Sequence, residues 1–277
     1  MKSVSYGLLF CVLLLAGACG NHTQKKTPTF EKDVYGVVNK INPDQKEIYL
    51  VFTAHYSQND QGYFENFDGI VPVLDTLASR GVKGSFFPTG VCFGVEKYRK
   101  PIQRIIDEGH YLSAHSDSHL LLCAYENRDS TLVTADSLRQ DIAAMEARLQ
   151  SFGLTKEQYA WMIPPYEYYN QYTADVLREL GFSLANPTEG LETSLDWMGP
   201  QDANYCSAAQ LVANVWAYEK AHTLNGTILL IHAMNYPGRT PEDRMYAHLG
   251  TLIDNLKEKG YTFRTFKDVP RDTPLGN

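Results

Sequence analysis

Four of the eight histidines stand where imidazole chemistry is possible. His115 and His119 are four apart in His115-Ser116-Asp117-Ser118-His119. At a helix start that spacing turns both rings toward one point, which suits zinc. Hydrogen-bonded surface histidines give the same pattern, so the two readings stand level. His232 closes the apolar run Ile228-Leu229-Leu230-Ile231. It reads either as a buried ring bonded to a backbone carbonyl or as a general acid with a pKa near working pH. Tyr166 and Glu167 follow Pro164-Pro165, which stiffen the turn and can hold a backbone N–H toward a pocket. The plainer alternative is a rigid turn with an aromatic lid. Asp196-Trp197 reads as a helix cap beside a core tryptophan ahead of a carboxylate beside a sugar-stacking ring. The cluster Tyr166, Tyr168, Tyr169 and Tyr172 suits packing first and flat carbohydrate faces second. The fourth histidine, His55, follows Thr53-Ala54 at the end of another apolar run.

The elements that position these residues alternate. Val34–Asn39, a turn at Asn42-Pro43-Asp44-Gln45 and Glu47–Thr53 read as a hairpin entering a first buried strand. Helical spacing covers Ile70–Ser79, Tyr98–Glu108, a segment with Leu138, Ile142, Met145 and Leu149 on one face, Tyr172–Leu180, Ala208–Ala221 and Glu242–Lys259. Strands fall at Lys83–Phe87, Tyr111–Ala114, Tyr159–Ile163, Phe182–Asn186, Thr227–His232 and Tyr261–Phe266. Seven strands separated by helices predict an α/β fold with a parallel sheet, and that many units usually close into a barrel. Barrel chemistry sits after the C-terminal ends of the strands, where all four histidines fall.

The 277 residues carry a net charge of −7 and 44% hydrophobic side chains, enough for one large core. An acidic balance with no basic block excludes nucleic acid as the main partner. Residues 1–18 read as a signal peptide, with Lys2 before an apolar stretch from Tyr6 to Leu15. Ala16-x-Ala18 fits ordinary cleavage, whereas the small residues directly before Cys19 resemble a bacterial lipobox. We read Cys19 as the lipid anchor, residues 19–33 as a polar tether, 34–269 as the barrel and 270–277 as a tail. That places the protein in a bacterial envelope, on the periplasmic side. No later apolar run is long enough to span a bilayer. Cys92, Cys123 and Cys206 are odd in number and lack a CxxC pair, leaving one disulfide or three buried thiols open.

Taken together, these motifs resemble the polysaccharide deacetylase (NodB-like) family of carbohydrate esterases over residues 34–269. His115-Ser116-x-x-His119 looks like the family's histidine motif and Leu230-Ile231-His232 like its last. Pro164-Pro165-Tyr166 is similar to the proline-tyrosine motif, and Asp196-Trp197 to the end of the fourth. The resemblance implies a deformed (β/α)7 barrel holding a divalent metal, usually zinc, through Asp-His-His. It also implies an aspartate base, a histidine acid, a backbone N–H at the motif tyrosine holding the oxyanion, and acetylated glycans as substrates.

The departures are as informative as the matches. The family's adjacent base and metal-ligand aspartates fall at Thr53 and Ala54, which can do neither job. The arginine that pairs with the base falls at Ile163, and the aspartate that orients the last histidine at Thr193, beside Glu192. Losing base and arginine together is physically coherent, because a buried guanidinium without its carboxylate costs several kcal/mol. Two outcomes follow. In one, the site is rewired: His115 and His119 hold the metal with His55 as third ligand, Glu167 replaces the base, His232 is the acid, and Tyr166 and Trp197 contact the sugar. Asp117 points away from His115, and Asp60 and Asp202 are further carboxylates on loops. In the other, the domain is a glycan-binding pseudoenzyme.

Overall fold

The computed structural model describes residues 27–58, 64–113, 115–236 and 238–272. The leader, Cys19, Asp60 and most of the tail lie outside the described residues. In chain order the strands are β1 (Phe30–Lys32), β2 (Val38–Ile41), β3 (Glu47–Ala54), β4 (Ser57–Gln58), β5 (Phe64–Glu65), β6 (Ser85–Pro88), β7 (Tyr111–Leu112), β8 (Trp161–Met162), β9 (Ser183–Leu184), β10 (Thr227–His232) and β11 (Thr262–Arg264). The helices are α1 (Ile70–Ser79), α2 (Gly90–Phe93), α3 (Glu96–Asp107), α4 (Ala135–Ser151), α5 (Gln171–Glu179), α6 (Ala208–His222) and α7 (Leu249–Glu258). Several short 3₁₀ turns join them. Among the described residues no helix is long and apolar enough to cross a membrane.

The parallel strands β10, β3, β6 and β7 form the main wall, and β8 pairs with β9 in parallel. The two pieces curl into a barrel through two seams. On one side, Ser113 Oγ donates to the carbonyls of Tyr159 and Trp161, and the Trp161 N–H donates to Tyr111 Oη. On the other, Ala185 bridges to Val38 of β2, which also pairs antiparallel with β10.

Three sequence expectations are corrected here. The N-terminal hairpin is β1 with β2, not β2 with β3, because β10 lies between them. The seventh parallel strand is present but short: β11 pairs only with Glu47–Tyr49 at the base of β3, while β6 takes the upper part of that edge. The antiparallel β2 closes the barrel instead. The expected helix Glu242–Lys259 is broken into 3₁₀ turns at Pro241–Asp243 and Met245–His248 before α7 begins. Pro241, by contrast, sits at the first position of its turn, where a missing N–H costs nothing.

Alternation along β3 sorts two cores, as a sheet covered on both faces requires. Tyr49 and Val51 face the barrel interior with Phe87, Tyr111, Trp161, Ile228 and Leu230. Ile48, Leu50 and Phe52 face the helices and meet Leu74, Leu77 and Phe86. Phe266, from the turn after β11, plugs the barrel, its ring 5.3 Å from Trp161 and 5.5 Å from Phe87. The plug leaves only the opposite end, where the parallel strands finish, open for a site.

Candidate active site

At that open end one cavity of about 160 Å³ is lined by Thr53, Ala54, His55, His115, His119, Tyr125, Tyr166, Glu167, Trp197, His232 and Met234. All seven residues that the sequence nominated for the site therefore line the same cavity. Asp117 does not: its carboxylate pairs with Arg148 of α4, away from His115 as expected. Asp202 is engaged by the Gly199 N–H and Tyr236 Oη, and does not line the cavity. Among the described residues Cys92, Cys123 and Cys206 are free thiols, and Cys206 is only half-buried.

The histidine loop is not a helix start, which corrects the sequence reading. Ser116 and His119 both adopt left-handed backbone, with φ of 63° and 57°. Asp141 of α4 holds this loop: its carboxylate accepts from the N–H groups of Asp117 at 2.8 Å and Ser118 at 2.9 Å, and from the Ser118 hydroxyl. Tyr166 and Glu167 form a second left-handed pair, with φ of 58° and 53°. Non-glycine residues adopt this conformation at a cost of order 1 kcal/mol or more. Among the described residues, five of the seven such positions (Ser116, His119, Tyr166, Glu167 and Glu192) lie on loops at this end of the barrel. Strain is concentrated where the side chains must converge.

Convergence is tight. The His115 and His119 ring centres are 5.1 Å apart, and His55 lies 4.6 Å from His119. Tyr166 stacks on the other face of His119 at 4.2 Å. His115 Nδ1–H donates to the Ile163 carbonyl at 2.8 Å, leaving the lone pair on Nε2. Burial holds His55 down at about 4 and His115 at about 3, and pushes His119 well below the ordinary histidine range. The rings are therefore neutral at physiological pH. Glu167 Oε1 lies 4.0 Å from His115 Nε2. Burial raises its carboxyl above the ordinary range; nearby Asp196 acts in the same sense and His232 against it.

These observations test the fit of a metal. Two imidazoles on one tetrahedral zinc, with Zn–N of about 2.1 Å, place their ring centres about 5 Å apart. The His115–His119 spacing meets that requirement, and neutral rings are the ligating form; His55 instead stacks on His119 with the ring planes 27° apart and would have to turn to share an ion with it. His119 Nδ1 is buried without a hydrogen-bond partner, and the His115 Nε2 lone pair faces a carboxyl oxygen. Both features are complementary to a cation. Among the described residues no three ligand side chains already converge on a common point; the fit lies in the donor set, its spacing and its protonation.

His232 is held by a residue the sequence reading undervalued. Asp196 Oδ1 accepts from His232 Nδ1 at 2.6 Å, and Oδ2 accepts from the His232 backbone N–H at 2.9 Å. The orienting carboxylate is thus Asp196, not a group at Thr193 or Glu192, and it is no helix cap. The Asp196 side chain is only 3% exposed. Its loop is clamped by the buried Arg239, which donates to the carbonyls of Met198 at 2.5 Å and Cys206 at 2.7 Å. The signal lay in the sequence, since Asp196 is the only aspartate on the loop after the fifth expected strand that adjoins a matched motif residue, Trp197.

A family model for polysaccharide deacetylases matches residues 40–185. The chain belongs to the polysaccharide deacetylase family. Its active members are hydrolases of carbon–nitrogen bonds other than peptide bonds. Similar relatives include the peptidoglycan-N-acetylmuramic acid deacetylase PdaA of Bacillus subtilis, 28% identical over 230 residues, or 82% of this chain and 73% of that protein. A chitin deacetylase of Arthroderma benhamiae is 22% identical, with 70% of this chain and 46% of that protein covered. Among solved structures, PdaA superposes with a TM-score of 0.60 at 24% identity, covering 85% of each chain. A CE4 family pseudoenzyme from Bacillus anthracis superposes at 0.62 with 16% identity, covering 86% and 70%. The polysaccharide deacetylase fold is shared with both, which bears out the NodB-like barrel.

Proposed function

We propose that this chain is a metal-dependent carbohydrate deacetylase with a rewired active site, removing N- or O-acetyl groups from a glycan. One observation carries the reading: a single cavity gathers His55, His115, His119, Glu167 and an Asp196-oriented His232. His115 and His119, with His55 as third ligand, would hold a divalent ion, and zinc suits an all-imidazole set. When bound, such an ion polarises the acetyl carbonyl and lowers the pKa of water. Glu167 takes the place of the carboxylate absent at Thr53 and accepts the proton of the attacking water; burial makes it a stronger base than a solvated carboxylate. Asp196 fixes the His232 ring so that its far nitrogen delivers a proton to the departing amine or alkoxide. The strained turn at Tyr166 supplies backbone to the oxyanion, and Tyr166 and Trp197 contact the sugar.

Acetate release from a panel of N- and O-acetylated glycans tests the proposal. His119→Ala and Glu167→Gln are each expected to abolish release while circular dichroism stays unchanged. A second reading has its own observation: Thr53 and Ala54 line the cavity and offer it no carboxylate. A glycan-binding pseudoenzyme would show affinity indifferent to Glu167→Gln and no turnover. The leader and Cys19 support placement as a lipoprotein of a bacterial envelope, on the periplasmic side, which lipid labelling of wild type against Cys19→Ala would test.

A further inference from the structure

We propose that the Thr53 hydroxyl binds the attacking water and then the oxygen which that water delivers to the acetyl group; this deepens the deacetylase reading and rests on it. The first observation is an unpaired group. Thr53 is 1% exposed, and its Oγ1 is buried with no hydrogen-bond partner. A buried hydroxyl without a partner works against folding. Elsewhere this fold avoids that cost: among the described residues no other Ser or Thr hydroxyl is buried and unpaired. On the neighbouring strands, Ser85 Oγ accepts from the Phe266 N–H at 3.1 Å, and Thr227 Oγ1 donates to the Leu224 carbonyl at 3.0 Å. Ser113 Oγ likewise donates to the Tyr159 carbonyl at 2.9 Å. Packing does not explain a threonine at position 53, because valine has the same shape, suits a strand equally and carries no hydroxyl.

The second observation is placement. Tyr49 and Val51 of β3 face the barrel interior, and alternation puts Thr53 on the same face one step higher, where it lines the cavity. In register its partner on β10 is His232 and its partner on β6 is Phe87. Paired residues on adjacent strands lie about 4.8 Å apart and point to the same side. The hydroxyl therefore stands at the cavity floor between the ring that Asp196 orients and an apolar ring that offers it no partner. Glu167 and His115 line the same cavity. In the reaction, the Thr53 O–H donates to a lone pair of the water. One water proton passes to Glu167 as the oxygen bonds to the acetyl carbon. The bond from that carbon to the sugar nitrogen or oxygen then breaks, and His232 protonates the departing group. The second water proton leaves with the product acid, and the proton on Glu167 returns to His232. Thr53 keeps its own proton throughout and ends by donating to the oxygen that the water supplied.

Thr53→Val and Thr53→Ser of the purified protein test this with three readouts: urea denaturation, acetate release, and binding of carbon-13 acetate followed by NMR titration. Thr53→Val should raise the urea midpoint, because it removes an unpaired buried hydroxyl at constant shape; a hydroxyl serving the fold would lower it. The same change should cut kcat about tenfold or more with KM moved by less than about threefold, and weaken acetate binding about three- to tenfold. Thr53→Ser keeps the hydroxyl and should hold both kcat and acetate affinity within about threefold of wild type. A lowered midpoint in Thr53→Val, or kcat and acetate affinity that both ignore the loss of the hydroxyl, overturns the inference. If wild type releases no acetate from any glycan, the deacetylase reading fails and acetate binding alone decides. Affinity that depends on the hydroxyl then keeps Thr53 as the acetyl-oxygen contact, whereas no binding, or binding indifferent to Thr53→Val, overturns it.

Discussion

Acid should destabilise the metal-free protein well above the pH at which carboxylates titrate. Burial holds His55 and His110 at about 4 and His115 at about 3, and lowers His119 in the same direction, against about 6.5 in an unfolded chain. Because the folded-state values are depressed, the unfolded state takes up protons first. The contribution of these groups is complete above about pH 6.5 and is lost as pH falls toward the folded values. Each pKa unit corresponds to about 1.4 kcal/mol. Between pH 7 and 5, His55, His110 and His115 should therefore each remove about 2 kcal/mol, or about 6 together, and His119 adds to this. Glu167 opposes them, since its raised carboxyl binds a proton before its unfolded counterpart does, but it is one group against four. The sum is a large share of a total stability of about 5–15 kcal/mol. Urea denaturation in chelator at pH 7, 6 and 5 reads it directly, with the midpoint falling most between 6.5 and 5. Excess zinc should move that fall to lower pH, because ligation competes with protonation. Equal midpoints at pH 7 and 5 in chelator would refute the argument and, with it, the neutral donor set.

Three further outcomes follow from particular contacts. Asp196→Asn keeps the size of the side chain but removes the charge that orients His232. Acetate release should fall by about 10² or more, with the alkaline limb of its pH profile displaced; an unchanged profile would deny His232 its role. Asp141→Asn loosens the histidine loop from α4 and should weaken zinc binding about tenfold, measured by calorimetry, while Asp136→Asn on the exposed start of the same helix should leave it unchanged. Phe266→Ala empties the barrel plug and should cost about 3–5 kcal/mol in urea denaturation. A loss below about 1 kcal/mol would show that the interior collapses around the gap.

Periodicity carried much of the architecture. The spacing Ile70, Val73, Leu74, Leu77 fixes α1 at Ile70–Ser79, and the run Thr227–His232 is β10 as read. Both are segments whose burial pattern is local. Pairing order is not local: alternation places β2 and β3 as strands, but nothing in it says that β10 inserts between them. The seven site residues were legible because strand ends gather them whatever the loop conformation. The loop conformations themselves were not. Ser116, His119, Tyr166 and Glu167 are left-handed without a glycine to mark the turn, so a helical reading of His115 and His119 was the natural one. Asp141, Arg148 and Arg239 escaped because the groups each one holds are distant in sequence. Asp141 sits next to the apolar residue Ile142 of α4, and only the fold shows that it reaches the histidine loop.

The central claim, a donor set rebuilt around three imidazoles without a carboxylate at position 54, where Ala54 stands, is tested most directly by the metal content of the purified protein. Elemental analysis without added metal, beside a His115→Ala/His119→Ala control, is expected to give about one equivalent of zinc or a similar divalent ion, lost in the control. No metal in either protein, even after soaking in zinc, cobalt and nickel, would contradict the claim and leave a glycan-binding barrel.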